Sequence, residues 1–170
     1  MKKFKKIYIS EPFIESSEIS EVNKSLKKNE VSTYGSNVIN FEKKISNLTG
    51  SKFNIALNSG SSSLLLAFKS INLKKNDLVI TQSYTFAATT NSIIHAGGKP
   101  WLFDISKNNF SLNIDKVEKS IKKNCFKKGK YLYHKKNKNR VYAICPVLVF
   151  SILPDLKRIK NFAKKYNLKV

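Results

Sequence analysis

The sequence predicts an α/β fold, a mainly parallel sheet with helices on both faces. Three observations predict it. From Phe53 onward, short β-rich apolar runs alternate with stretches of helical periodicity. The connections between them are short, which suits strands that return to one sheet through crossover helices. The best-marked junction, Asn58–Leu64 (NSGSSSL), joins the apolar run Phe53–Leu57 (FNIAL) directly to the helical run Leu64–Phe68 (LLLAF). At 170 residues one domain is the default, and the chain is long enough for a sizeable core.

Each element follows from local pattern. Residues 17–28 carry Ile19, Val22 and Leu26 at helical spacing behind a Ser/Glu-rich start. Residues 37–48 repeat this through Val38, Phe41, Ile45 and Leu48, with Gly50 where a helix C-cap belongs. Strands are predicted at 53–58, 77–81, 100–105 and 141–147, and helices at 61–71, 86–96, 113–123 and 155–166. Leu168–Val170 reads as the start of one more strand. The organisation expected is an N-terminal helical segment over 1–52 within the same domain as a partial α/β large domain over 53–170. No internal repeat or disordered tail stands out.

Charge narrows the function classes. Lys and Arg number 32 against 11 Asp and Glu, a net +21, yet only Arg140 and Arg158 are arginine. A surface that reads nucleic acid uses arginine for bidentate guanine and phosphate contacts. Abundant Lys, Asn and Ile instead suggest an AT-rich coding bias with lysines on solvated faces, so no nucleic-acid partner is expected. The densest cluster, Lys127–Arg140, reads as a solvated hairpin or loop insert. No apolar run approaches the length of a membrane span, and no membrane partner is expected. The basic start, Met1–Lys6, is followed by Ile7–Ile14 with Glu11 and Pro12, which is no cleavable signal core, so a cytoplasmic protein is expected. Cys125 and Cys145 lack metal-ligand spacing and read as free thiols of a reducing compartment. His95 and His134 have no triad partners, and His95 in the apolar SIIHA run reads as structural.

The chemistry concentrates in two turns. At NSGSSSL, the first N–H groups of the helix have no intrahelical partner and its dipole favours an anion. Gly60 permits close approach of backbone to ligand, and Ser61, Ser62 and Ser63 supply hydroxyls for an anion or a cap. The second turn, Ser83–Asn91 (SYTFAATTN), follows the strand DLVIT. In open α/β sheets ligands sit outside the carboxyl ends of the strands, so the two turns are expected to face one crevice.

These blocks, with Val31–Glu42 (VSTYGSNVINFE) upstream and Lys99–Ile105 (KPWLFDI) behind Ala96-Gly97-Gly98, occur in one order over nearly the whole chain. Together they resemble the DegT/StrS family of pyridoxal-phosphate-dependent sugar aminotransferases, most closely the branch that makes 4-amino sugars for bacterial surface glycans. The resemblance implies the large domain of a fold-type-I aminotransferase, incomplete at its C-terminus. It assigns Gly60, Ser61 and Ser62 to the turn that binds the phosphate of pyridoxal 5′-phosphate, and Phe86 to the aromatic that stacks on its ring. Tyr34, with Gly35, matches a segment near the substrate, and Asp104 matches a structural strand end. The implied reaction passes nitrogen from an amino donor, glutamate by expectation, to a nucleotide-linked keto sugar, in a protein that is a homodimer at full length.

Two functional groups fall outside the match. The resemblance places the Schiff-base lysine and the carboxylate beside the pyridine nitrogen beyond Val170, so no catalytic residue is nominated and the chain reads as an N-terminal fragment. In Cys145–Asp155 (CPVLVFSILPD) the family's His is replaced by Leu148 and its Gly by Ser151, and its proline sits one position before Pro154. Two alternatives accompany this reading: a non-catalytic remnant, or a sugar dehydratase of the same fold.

Overall fold

The computed structural model of the protein describes residues 6–8, 11–33 and 35–170. The chain divides into two compact units, 1–56 and 57–170.

The first unit carries α1 (Ser16–Lys27) and α2 (Ser36–Thr49). A reciprocal capping box opens α1, in which the Glu15 N–H donates to Glu18 Oε2 at 2.5 Å. Gly50, at φ +70°, closes α2, and its N–H donates to Ser46 O at 2.9 Å. The strand predicted at 53–58 does not form. The Ala56 N–H donates to Glu42 Oε1 at 2.8 Å, and Asn54 Nδ2 donates to Ser46 Oγ at 2.6 Å. Phe53 and Ile55 stay exposed. A strand exists only through a ladder, and none of the described residues offers this run a partner.

The second unit holds the sheet. Three parallel strands form its centre: β1 (Leu78–Gln82) lies between β2 (Lys99–Phe103) and the later β5 (Arg140–Cys145). These match the predicted strands to within a residue or two. The lysine-rich insert is a hairpin that extends the sheet antiparallel, with β3 (Cys125–Lys128) and β4 (Tyr131–His134) turning through Gly129 at φ +59°. The order is β2-β1-β5-β4-β3. Beside β5, β4 pairs only with Arg140 and Val141, and Lys169 then pairs in parallel with Ala143, so the predicted final strand begins here as one bridge.

Helices cover both faces. One face packs Leu78, Ile80, Val141 and Ile144 against α5 (Ile114–Asn124) and α6 (Leu156–Tyr166), through Val117, Ile121, Ile159 and Phe162. The other packs Val79 and Ala143 against α3 (Gly60–Ser70) and α4 (Ala87–His95), through Phe68 and Ile93. A register shift between Leu78 and Val79 places one extra residue, Tyr142, in β5. Tyr142 and Ala143 therefore both serve the α3/α4 face, as a bulge requires. Among the described residues no helix is long and apolar enough to cross a membrane.

Candidate functional site

The parallel strands all point the same way, so the turns leaving β1, β2 and β5 lie at one end of the sheet, and α4 starts there. The α3 N-terminus has Ser59 as its cap: Ser59 Oγ accepts from the Ser62 N–H at 3.2 Å, and Ser59 O accepts from the Ser63 N–H at 3.1 Å. Capping therefore falls to Ser59, and not to the three serines that follow. The Gly60 and Ser61 N–H groups have no acceptor among the described residues. These are the unpartnered donors that a helix start presents to an anion.

Gly60 has no structural reason to be glycine. A Cβ built on it would meet nothing within 4 Å, and its backbone is not in the left-handed region. What glycine provides there is bare backbone facing open space.

Ser92 anchors this turn to α4, its buried hydroxyl donating to Ser61 O at 3.2 Å. The groove between the helices is a cavity of about 310 Å³ lined by Ser61, Ser62, Asn91, Ser92 and His95 among others. The structure thus brings Ser61 and Ser62 together with α4.

Phe86 sits one residue before α4, at its N-cap, with φ −69° and ψ 143°. Its ring is 82% exposed, which excludes the role of an ordinary core aromatic. It lines a second cavity, about 290 Å³, with Tyr84 and Thr85 on its own turn and Val147, Leu148 and Phe150 on the turn after β5. The turn that starts α3 does not line this cavity. The two cavities share no lining residue, so the two turns open onto separate cavities, with Phe86 of the second two positions before Ala88 of the first.

The turn after β5 is strained. Phe150 and Ser151 hold φ of +52° and +58°, in the region where side chains other than glycine's are disfavoured. A family glycine at the place of Ser151 has its physical reason in that angle. Leu148 puts an apolar, half-exposed side chain into the cavity where the family's His would be polar.

Proton-transfer groups are scarce. Among the described residues, the linings of both cavities hold neither a carboxylate nor a lysine. Asp104 is spent on structure: Oδ1 accepts the Ile105 N–H at 2.9 Å and Oδ2 accepts Lys116 Nζ, which holds its carboxyl below the usual range. Burial pushes the Cys145 thiol up to about 11, leaving it protonated and unreactive at neutral pH. Cys125 and Cys145 are both free thiols. Tyr34 lies outside the described residues. No group of three or more potential metal ligands exists among the described residues.

A donor-rich helix start and an exposed aromatic at the head of the neighbouring helix fit a phosphate monoester carried on a flat ring. Sequence reasoning missed Ser59, Ser92 and Gln82, which hold the backbone of the turns in place through hydrogen bonds. A polar residue ending the apolar run of β1 was the one available signal for Gln82.

The sequence matches the profile of the DegT/DnrJ/EryC1/StrS aminotransferase family over residues 12–170. It is 35% identical over 159 residues to the uncharacterized protein MJ1066 of Methanocaldococcus jannaschii, covering 94% of this chain and 37% of the relative. It is 34% identical to a UDP-4-amino-4,6-dideoxy-N-acetyl-beta-L-altrosamine transaminase of Campylobacter jejuni, covering 91% of this chain and 37% of that one. Among solved structures, NtdA of Bacillus subtilis with bound cofactor PMP superposes with a TM-score of 0.76 at 26% identity, covering 92% of this chain and 33% of NtdA. The chain therefore spans little more than a third of the length of the relatives it matches.

Proposed function

The chain belongs to the DegT/DnrJ/EryC1/StrS aminotransferase family, and we propose that it forms the cofactor-cradling part of a pyridoxal-phosphate-dependent nucleotide-sugar aminotransferase. The observation that carries this reading is the Gly60–Ser61 helix start, open to an anion, beside an α4 headed by the exposed Phe86. The Gly60 and Ser61 N–H groups and the Ser61 and Ser62 hydroxyls would hold the phosphate. Phe86 would lie against the ring and keep it in plane. Bound pyridoxal phosphate supplies an electron-sink ring and a carrier for the amino group.

The residues present are proposed to bind and orient; among the described residues neither cavity lining holds a lysine or a carboxylate. On this reading the cofactor-anchoring lysine and the carboxylate that keeps the ring nitrogen protonated belong to sequence following Val170 in a longer protein. The substrate proposed is a nucleotide-linked keto sugar of surface-glycan synthesis, the donor glutamate, and the assembly a homodimer. Tyr34 is proposed to approach the sugar.

Pyridoxamine 5′-phosphate is the probe of choice, because it has no aldehyde to react with the chain's 30 lysines. Titration followed by Trp101 fluorescence is expected to saturate, and Phe86→Ala is expected to weaken binding about tenfold or more, the loss of an aromatic stacking contact. A folded chain that shows no saturable binding ends the proposal.

A further inference from the structure

We infer that Gln82 is a positioning residue that clamps the Phe86 turn to the opposite wall of its cavity. Gln82 ends β1 and is completely buried. Its Nε2 donates to Tyr84 O at 3.0 Å and to Phe110 O at 3.1 Å, and its Oε1 accepts from the Val147 N–H at 3.2 Å. One side chain thus ties together backbone from the turns after β1, β2 and β5. Two carbonyls and one N–H fix the orientation of the amide, and only a neutral amide of this length answers all three. Asparagine is shorter, and an ionised glutamate has no donor.

The surroundings show that the clamp bears a load. Tyr84, Phe110 and Phe150 pack against one another, with ring centroids 5.8–6.4 Å apart. Phe110 and Phe150 both hold left-handed backbone, φ +53° and +52°, which is uncommon for bulky residues and persists only where the surroundings over-determine it. The Phe110 carbonyl is itself one of the acceptors of Gln82. Tyr84 and Val147, the other two anchor points, line the same cavity as Phe86, one on its own turn and one on the turn after β5. An 82% exposed ring has little packing of its own, so its place follows from the backbone that carries it. Gln82 is absent from the lining of the cavity and acts through that backbone alone.

The ligand half of this inference rests on the cofactor reading; the clamp itself does not. The test compares the 170-residue chain with Gln82→Met, which keeps length and loses every hydrogen bond, and with Gln82→Glu. Amide hydrogen exchange is expected to rise tenfold or more in Gln82→Met at residues 83–87, 104–110 and 147–151, while Val79, Ile80 and Ile144 in the sheet keep their protection. Pyridoxamine 5′-phosphate affinity falls about tenfold in the same variant, and inorganic phosphate, held at α3, binds as before. Gln82→Glu keeps an acceptor for the Val147 N–H, but when ionised it has no donor for the Tyr84 and Phe110 carbonyls, so exchange rises at 83–87 and 104–110 while Val147 stays protected. Protection at those two turns returns as pH falls and the buried acid takes up a proton that it can donate to a carbonyl. Exchange that rises equally across the sheet, or that does not change at the three turns, overturns the clamp. If exchange responds as expected and pyridoxamine phosphate affinity does not, the positioning role is overturned. A wild-type chain that binds no pyridoxamine phosphate ends the cofactor reading, and the exchange pattern still decides the clamp.

Discussion

The two ends of the parallel sheet are built on opposite terms. At the end where the strands start, charge is paired and space is filled. Arg140 forks onto Asp77, with Nε to Oδ1 at 2.9 Å and Nη2 to Oδ2 at 2.5 Å, and the same carboxylate accepts the Lys74 N–H at 2.9 Å. The guanidinium also lies over the rings of Tyr142 and Tyr131. Gly98 sits so tightly that a Cβ would fall 2.7 Å from Leu73 Cδ2. At the end where the strands finish, Phe110, Phe150 and Ser151 are left-handed, and Phe86 and Leu148 show apolar surface to solvent. Left-handed Asn76 and Lys138 precede β1 and β5 as well, so the ends differ in which residues carry the strain: bulky aromatics beside exposed apolar surface at the finish, a paired and close-packed charge at the start.

Removing Asp77 should break that contrast most sharply. Asp77→Ala leaves the Arg140 charge, 15% exposed, without its carboxylate, and a buried pair broken on one side costs about 3–5 kcal/mol. Urea denaturation is expected to show this loss, and Asp77→Leu with Arg140→Met should recover most of it. If the single change costs under 1 kcal/mol, the strand-start end is no anchor.

Gly98→Ala is a smaller blow to the same end. The added methyl meets Leu73, Asp77 O and Ile93 together, and overpacking of this kind costs about 1–3 kcal/mol. At the strained end the sign reverses. Ser151→Gly relieves a left-handed residue and should stabilise the chain by about 1 kcal/mol, read as a higher denaturation midpoint with an unchanged slope. An unchanged midpoint would mean that the strain of this turn is carried by Phe150 alone.

How much of this was legible in the sequence depends on how local the cause is. Strands β1, β2 and β5 and helices α1 to α6 of the described residues follow from apolar spacing and caps, which are local. The run Phe53–Leu57 has the same composition as a strand and is not one, because a ladder needs a distant partner that no window of sequence displays. The lysine-rich hairpin was ambiguous for a related reason: only Cys125 and Leu132 of its strands are buried, so the alternation is nearly invisible. Gly60 and Phe86 were legible because turn chemistry and order along the chain mark them. Gln82 was not, since its three partners lie 2, 28 and 65 residues away. Capping by Ser59 was hidden among neighbouring serines, where only backbone angles choose the cap.

The smallest expected change in stability carries the most functional information. Gly60→Ala puts a methyl into open space at the first position of α3, where it replaces the most flexible residue with the best helix former. Stability should therefore stay within about 0.5 kcal/mol of the parent or rise slightly, because exposed helix positions away from packing respond by no more than this. The same methyl stands beside the two free N–H groups, so phosphate and pyridoxamine phosphate affinity should both fall, by about tenfold if one anion-binding hydrogen bond is lost. That opposition separates a ligand-shaped glycine from a structural one. A glycine kept for folding, as Gly98 is, loses stability on substitution and leaves affinity untouched, the reverse of what Gly60 is expected to show when the two are measured side by side.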